Sequence, residues 1–230
     1  MKGWQSAGVA IAMVMAAATP CMAETPRDLL MQASFGDHDR ATALGRINLA
    51  LQGAAAVLRN SPGDPEAGLM HATAIGYHAK LTGSRGEAVA ARRSFEALVQ
   101  RNPRNAEAQL ALGAWHLGAV QRLGRLVGRA ALGAQKPVGL SALDQAVALG
   151  GNRAMFSGLA ALLRLQMDPD DSRGRALAEA AARAATPMPI DRIVQRAAAQ
   201  IIAALRKGDE GAVRKLAMRS LPFGQLPGES

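Results

Sequence analysis

One short stretch constrains this chain more than any other: residues 91–116, ARRSFEALVQRNPRNAEAQLALGAWH. Ala91 and Phe95 stand one helical turn apart, a small side chain beside a large one, so a neighbouring helix can approach closely there. Pro103 cannot continue that helix, and Asn102 to Asn105 supply the turn. Leu112, Gly113 and His116 then share a face of the next helix, with Gly113 leaving room for tight contact. A matching turn lies 41 residues earlier, where Ser61-Pro62-Gly63-Asp64-Pro65-Glu66-Ala67 parallels Asn102-Pro103-Arg104-Asn105-Ala106-Glu107-Ala108. Asp168-Pro169-Asp170-Asp171-Ser172 is a third turn of the same kind. Strand signals are absent, and the chain reads as repeated pairs of helices.

Ala91-x3-Phe95, Pro103 and Leu112-Gly113-x2-His116 resemble the tetratricopeptide pattern, whose usual period is about 34 residues. The longer spacing here places extra residues in the turn at 81–85 and in a longer first helix. Leu112-Gly113-Ala114-Trp115, then Ala131-Leu132-Gly133 before a proline turn, then Ala142-Leu143 and Ala146 resemble the regulator-of-microtubule-dynamics branch of that family. The likeness covers about residues 60–165. It implies an all-α, right-handed solenoid of antiparallel helix pairs with an inserted basic helix at 121–132, a role in protein interaction, and no catalytic residues.

Apolar residues make up 49% of the chain but aromatics only 3%, so a core must be built from Ala, Leu, Val and Met. Small side chains suit closely stacked helices better than a sheet sandwich. Residues 1–23 read as a signal peptide: Lys2 gives a positive start, residues 8–18 are apolar, and Pro20 precedes Cys21-Met22-Ala23. The apolar run is about half the roughly 20 residues that span a bilayer, and an uncleaved anchor is the alternative. Pro20 beside Cys21 departs from a lipidation box. Cleavage after Ala23 would leave a cysteine-free chain suited to the periplasm. The formal charge is +9, and losing Lys2 with the signal leaves +8. Such a balance draws acidic partners or an anionic envelope surface, or else reflects only a codon bias toward Arg and Ala.

The helical-repeat domain is expected over residues 24–219. Periodicity and caps place helices at 29–35, 41–59, 65–80, 86–101 and 105–120, a basic helix at 121–132, and others at 141–149, 153–166, 173–185, 190–207 and 210–216. The Pro- and Gly-rich tail, 220–230, is expected to be disordered.

In such a solenoid the first helix of each pair lines a concave binding surface. By repeat position Leu69, Met70, Thr73 and Tyr77 face it, followed by Glu107, Leu110, Ala114 and Leu117, then Ser157, Ala161 and Arg164. Tyr77 and Trp115 are the natural aromatic anchors. The leading function is an exported, non-catalytic adaptor for a protein or peptide, with no cofactor, no metal, no small-molecule substrate and no nucleic acid expected. A second reading takes Arg122, Arg125 and Arg129, on one face of the basic helix, as a site for a polyanion or anionic lipid, with Leu123, Leu126, Val127 and Ala130 docked on the body. A third is a hydrolase or metal enzyme using His71, His78 and His116, which requires the three imidazoles to converge. No HExxH, Cys/His cluster or G-x-S-x-G elbow favours it.

Overall fold

Three turns of one design punctuate the chain. In each, the residue before the proline accepts a hydrogen bond three residues on: Asp64 N to Ser61 O at 3.0 Å, Asn105 N to Asn102 O at 3.1 Å, Asp171 N to Asp168 O at 3.1 Å. The last turn residue then caps the next helix, through Asp64 to Ala67 N, Asn105 to Ala108 N and Asp171 to Gly174 N, at 2.8–3.0 Å. Proline presets the turn and the short polar side chain satisfies an orphan N–H, so four residues reverse the chain without a tertiary contact.

The computed structural model describes residues 24–227, and eleven helices account for 79% of them. They are α1 (Pro26–Phe35), α2 (Arg40–Asn60), α3 (Pro65–Thr82), α4 (Arg85–Arg101), α5 (Ala106–Leu123), α6 (Arg125–Leu132), α7 (Lys136–Leu149), α8 (Ala154–Met167), α9 (Ser172–Arg183), α10 (Pro189–Lys207) and α11 (Glu210–Ser220). No strand occurs among the described residues; Arg153 and Ala185 form a single isolated bridge. The expected signal peptide and its cleavage site lie outside the described residues. One described helix, α2, is long and apolar enough to cross a membrane, but it packs on α1 and α3 through buried Ala43, Ile47, Ala50 and Ala54.

Two expected elements change shape. The basic helix does not run from 121 to 132: Gly124, at φ 75° and ψ 165°, breaks it, leaving Arg122 in the last turn of α5. The turn expected to reach residue 140 ends early, because Pro137 falls in the first turn of α7, where a missing N–H costs nothing.

Two apolar clusters form the interior, and α5 serves both. Ala108 and Leu112 point into the first, built from α1 to α4, while Leu110 and Leu117 point into the second, built from α7 to α11. Close approach is what lets such small residues pack. A Cβ on Gly113 would lie 3.0 Å from Gly139 O and 2.7 Å from Leu143 Cδ2, so α5 and α7 touch through bare backbone.

The C-terminal segment joins the clusters. Leu221 enters the second; Phe223 and Leu226, each 1% exposed, enter the first. Phe223 N donates to Ser34 O at 2.8 Å, and Lys80 Nζ donates to Pro222 O at 2.8 Å. The tail expected to be disordered is therefore packed as far as residue 227. Its prolines and glycines encode a turn, and two apolar side chains hold that turn in place. Replacing Phe223 by Ala should destabilise the chain by about 3–5 kcal/mol, as expected for a fully buried ring. Urea unfolding followed by circular dichroism measures it; a loss under about 1 kcal/mol would mean the segment is not anchored.

Candidate functional site

A chain of ion pairs runs along one edge of the molecule, linking the starts of five helices. Arg27, in the first turn of α1, makes two 2.7 Å bonds to Glu66 of α3 and a third to Glu107 of α5. Glu107 lies 3.6 Å from Arg153, the residue preceding α8. Arg153 reaches Asp191 of α10 at 3.2 Å. Hydrogen bonding to Glu66, then to Glu107, holds the Arg27 guanidinium charged even more firmly than usual, against the cost of its burial. The acidic members sit in first helical turns, where the backbone dipole favours negative charge. Above them opens a cleft of about 390 Å³ whose floor includes Leu69 and Phe156. Its two arginines already face three carboxylates, so the cleft offers no free positive charge to a ligand.

Asp191 is the anchor of this edge. It is fully buried and accepts Met155 N at 2.9 Å and Met188 N at 3.1 Å. Arg153 cannot cap α8 with its own side chain, so a carboxylate from α10 does it instead. The other members are between 23% and 54% exposed, and each contributes little alone.

The residues expected to line an open concave surface are mostly interior. Leu69, Met70, Leu110, Leu117, Ser157, Ala161 and Arg164 are all buried. Arg164 makes paired 2.9 Å bonds to Asp144 and one of 3.2 Å to Asp171, tying α7, α8 and α9 together. Thr73 spends its hydroxyl on Leu69 O at 2.8 Å. Tyr77 is half-buried against the first cluster, its ring edge-on to Phe223 with centroids 4.9 Å apart. Burial pushes its phenol up to about 12. Trp115, also half-buried, meets His116 edge-on at 5.1 Å, with the Arg92 guanidinium 6.0 Å from its ring. On α5 the covering element is α7, with the Leu117 side chain against Gly139, whereas Tyr77 of α3 is covered by Phe223.

The basic segment stands differently. Arg122, Arg125 and Arg129 are exposed, and Arg122 Nη1 donates to Lys80 O at 2.9 Å. The apolar side expected to dock on the body does not: Leu126 is 86% exposed and Val127 56%. Gly128 is the one residue of α6 that is fully buried, packed near Ala119 O. With Gly128 inward, 100° per residue turns Leu126 outward, with Arg129 and then Arg125 along one side of it.

The histidines go separate ways. His78 Nδ1 lies 2.8 Å from Glu87 Oε2, and His71 titrates below its ordinary value because it is partly buried. His116, 1% exposed, accepts Gln135 N at Nδ1 (3.2 Å) and so pins the turn before α7, while Nε2 has no partner among the described residues. Burial, then the nearby Arg92 charge, pushes it down to about 4. Among the described residues no three His, Cys, Asp or Glu side chains come together as a metal site. Sequence reading passed over Arg27, Arg153 and Asp191. Only the parallel Glu66/Glu107 positions hinted at a shared edge.

No protein-family model, curated protein or solved structure matches this chain.

Asp191→Ala takes away the nearer carboxylate of Arg153, leaving only Glu107 at 3.6 Å, and uncaps α8, and should cost about 3–5 kcal/mol in urea unfolding. Glu66→Gln, at the exposed end, should cost under about 1 kcal/mol; equal losses would refute the ranking. His116 binds its proton less readily folded than unfolded, so its stabilising effect is complete above pH 6.5 and is lost as pH falls toward about 4. His116→Asn retains an acceptor for Gln135 N and does not titrate. Wild type should lose thermal stability over that window faster than the variant, and parallel curves would disprove it.

Proposed function

We propose that the chain is an exported, periplasmic and non-catalytic adaptor of tetratricopeptide type, akin to the regulator-of-microtubule-dynamics branch. On this reading its helices form a right-handed solenoid of pairs with α6 as the inserted helix, and the partner is a peptide lying across the first helices of the pairs. One observation supports the reading: the chain's own residues 221–226 pack against other helices as a short non-helical peptide. Phe223 sits against Tyr77 of α3, its N–H is bonded to Ser34 of α1, and Leu221 reaches the cluster containing α8. Tyr77 is one of the repeat positions expected on a binding face, while Ser34 lies outside that set.

The seat also describes its ligand. It accepts an apolar residue, then Pro-aromatic, then Leu three residues after the aromatic, matching Leu221-Pro222-Phe223-Gly224-Gln225-Leu226. Lys80 supports the aromatic, with Nζ 5.4 Å from the ring centroid. Few polar bonds hold the segment, and Phe223 has φ 67°, a left-handed conformation costing a non-glycine residue about 1–2 kcal/mol. A competing peptide therefore opposes side-chain burial more than backbone bonding.

A fluorescent peptide of residues 221–227 tests the reading by anisotropy against the full chain and against Leu226→Ala. Loosening the internal segment raises the fraction of open sites, so the variant should bind roughly tenfold tighter or better. Failure of either protein to bind the peptide, or loss of the variant's helices by circular dichroism, would reject it.

A further inference from the structure

Helix α6 turns an apolar ridge away from the interior. Leu126 is the most exposed large apolar side chain among the described residues, and Val127 and Leu123, at 56% and 38%, extend the ridge. Its base is fixed. Arg85 Nε donates to Ala131 O at 3.0 Å, and Gly133, at φ 75°, ends the helix with the Arg92 guanidinium beside it. The exposure of Leu126 thus belongs to a capped helix seated on α4 and α5.

The charges beside the ridge are all of one sign. Arg125 and Arg129 lie along one side of Leu126 and form no ion pair among the described residues, and no acidic residue occurs in sequence between Glu107 and Asp144. A protruding ridge also differs from the shape a peptide requires. A peptide side chain is gripped in a concavity, and neither described cleft is lined by α6. A convex apolar edge with guanidinium groups at its margin suits an interface where acyl chains begin just beneath a layer of phosphates. There leucine can enter the apolar zone while arginine bonds phosphate oxygens in pairs.

We propose that α6 is a membrane-surface anchor, inserting Leu126 and Val127 into the headgroup boundary of an anionic bilayer while Arg125 and Arg129 bind lipid phosphates. The anchor uses α6 alone and stands whether or not segment 221–226 can be displaced. Anionic lipid supplies the electrostatic attraction, and the two apolar side chains make the contact more than electrostatic.

Sedimentation of the full chain with phosphatidylcholine vesicles, with and without phosphatidylglycerol, provides the test. The apolar run at residues 8–18 would favour both vesicle types, so the reading is the ratio of the two partition coefficients. Arg125→Gln with Arg129→Gln should lower that ratio roughly thirtyfold at low salt, about fivefold per arginine, and added salt should lower it in the parent chain. Leu126→Ser should weaken partition into the anionic vesicles with the arginines intact. All three positions are solvent-exposed, and circular dichroism checks that each variant keeps its helices. An unchanged ratio in the arginine variant overturns the proposal, as does Leu126→Ser partitioning like the parent. Soluble polyglutamate binding as tightly as vesicles, with the same arginine dependence, would replace the membrane with an acidic protein partner.

Discussion

Small side chains gain little from contact unless the helices bearing them come very close. That requirement shapes the whole molecule. Alanine buries about one methyl group, so an alanine-rich interior needs many short crossings to gather the stability that a few aromatic residues would otherwise supply. Gly113 against Gly139 is one case, where α5 and α7 meet through backbone and the Leu143 side chain. Gly158 meets Val194 in the same way and lets α8 approach α10. Close approach of this kind tolerates no drift at helix ends. The edge network from Glu66 to Asp191 acts at those ends, setting the spacing of five helices with charges that satisfy one another.

Large apolar side chains are scarce, and where they lie shows what holds the fold together. Phe95 and Phe156 fill the two clusters, one each. Phe223 comes from the far end of the chain to pack on Tyr77, so the last residues complete a core begun by the first helices. The same seat is proposed as a peptide site because the occupant is short, non-helical and lightly bonded. The ridge on α6 is the opposite case, apolar area that the chain leaves uncovered with unpaired arginine beside it. One surface is filled from within and the other faces outward, and the two proposals use this difference.

Much of the secondary structure was legible. The x-Pro-x-Asp/Asn turns at 61–64, 102–105 and 168–171 carry their own proline and their own cap, and the helices around them begin where those signals stand. Reading failed where the deciding contact was distant. Pro222 and Gly224 suggested disorder because nothing nearby reveals that Ser34 O and Tyr77 are waiting for Phe223. The basic helix was drawn as continuous because helix-forming residues flank Gly124, and a single positive φ changed which side chains face outward. Of the edge network, only the repeated Glu66 and Glu107 drew notice in sequence, since nothing local shows that Arg27, Arg153 and Asp191 converge on them.

The sequence by itself determined that this chain is helical and where most of its helices begin, because a cap or a turn is settled within three or four residues. Tertiary structure alone decided that Asp191 caps a helix 36 residues away, that Phe223 from the C-terminal segment packs on Tyr77, and that Leu126 points outward. Those outcomes depend on distances between helices, which here follow from how closely alanine and glycine let backbones approach. Packing of that kind involves the whole set of crossings at once and leaves no short pattern in the chain.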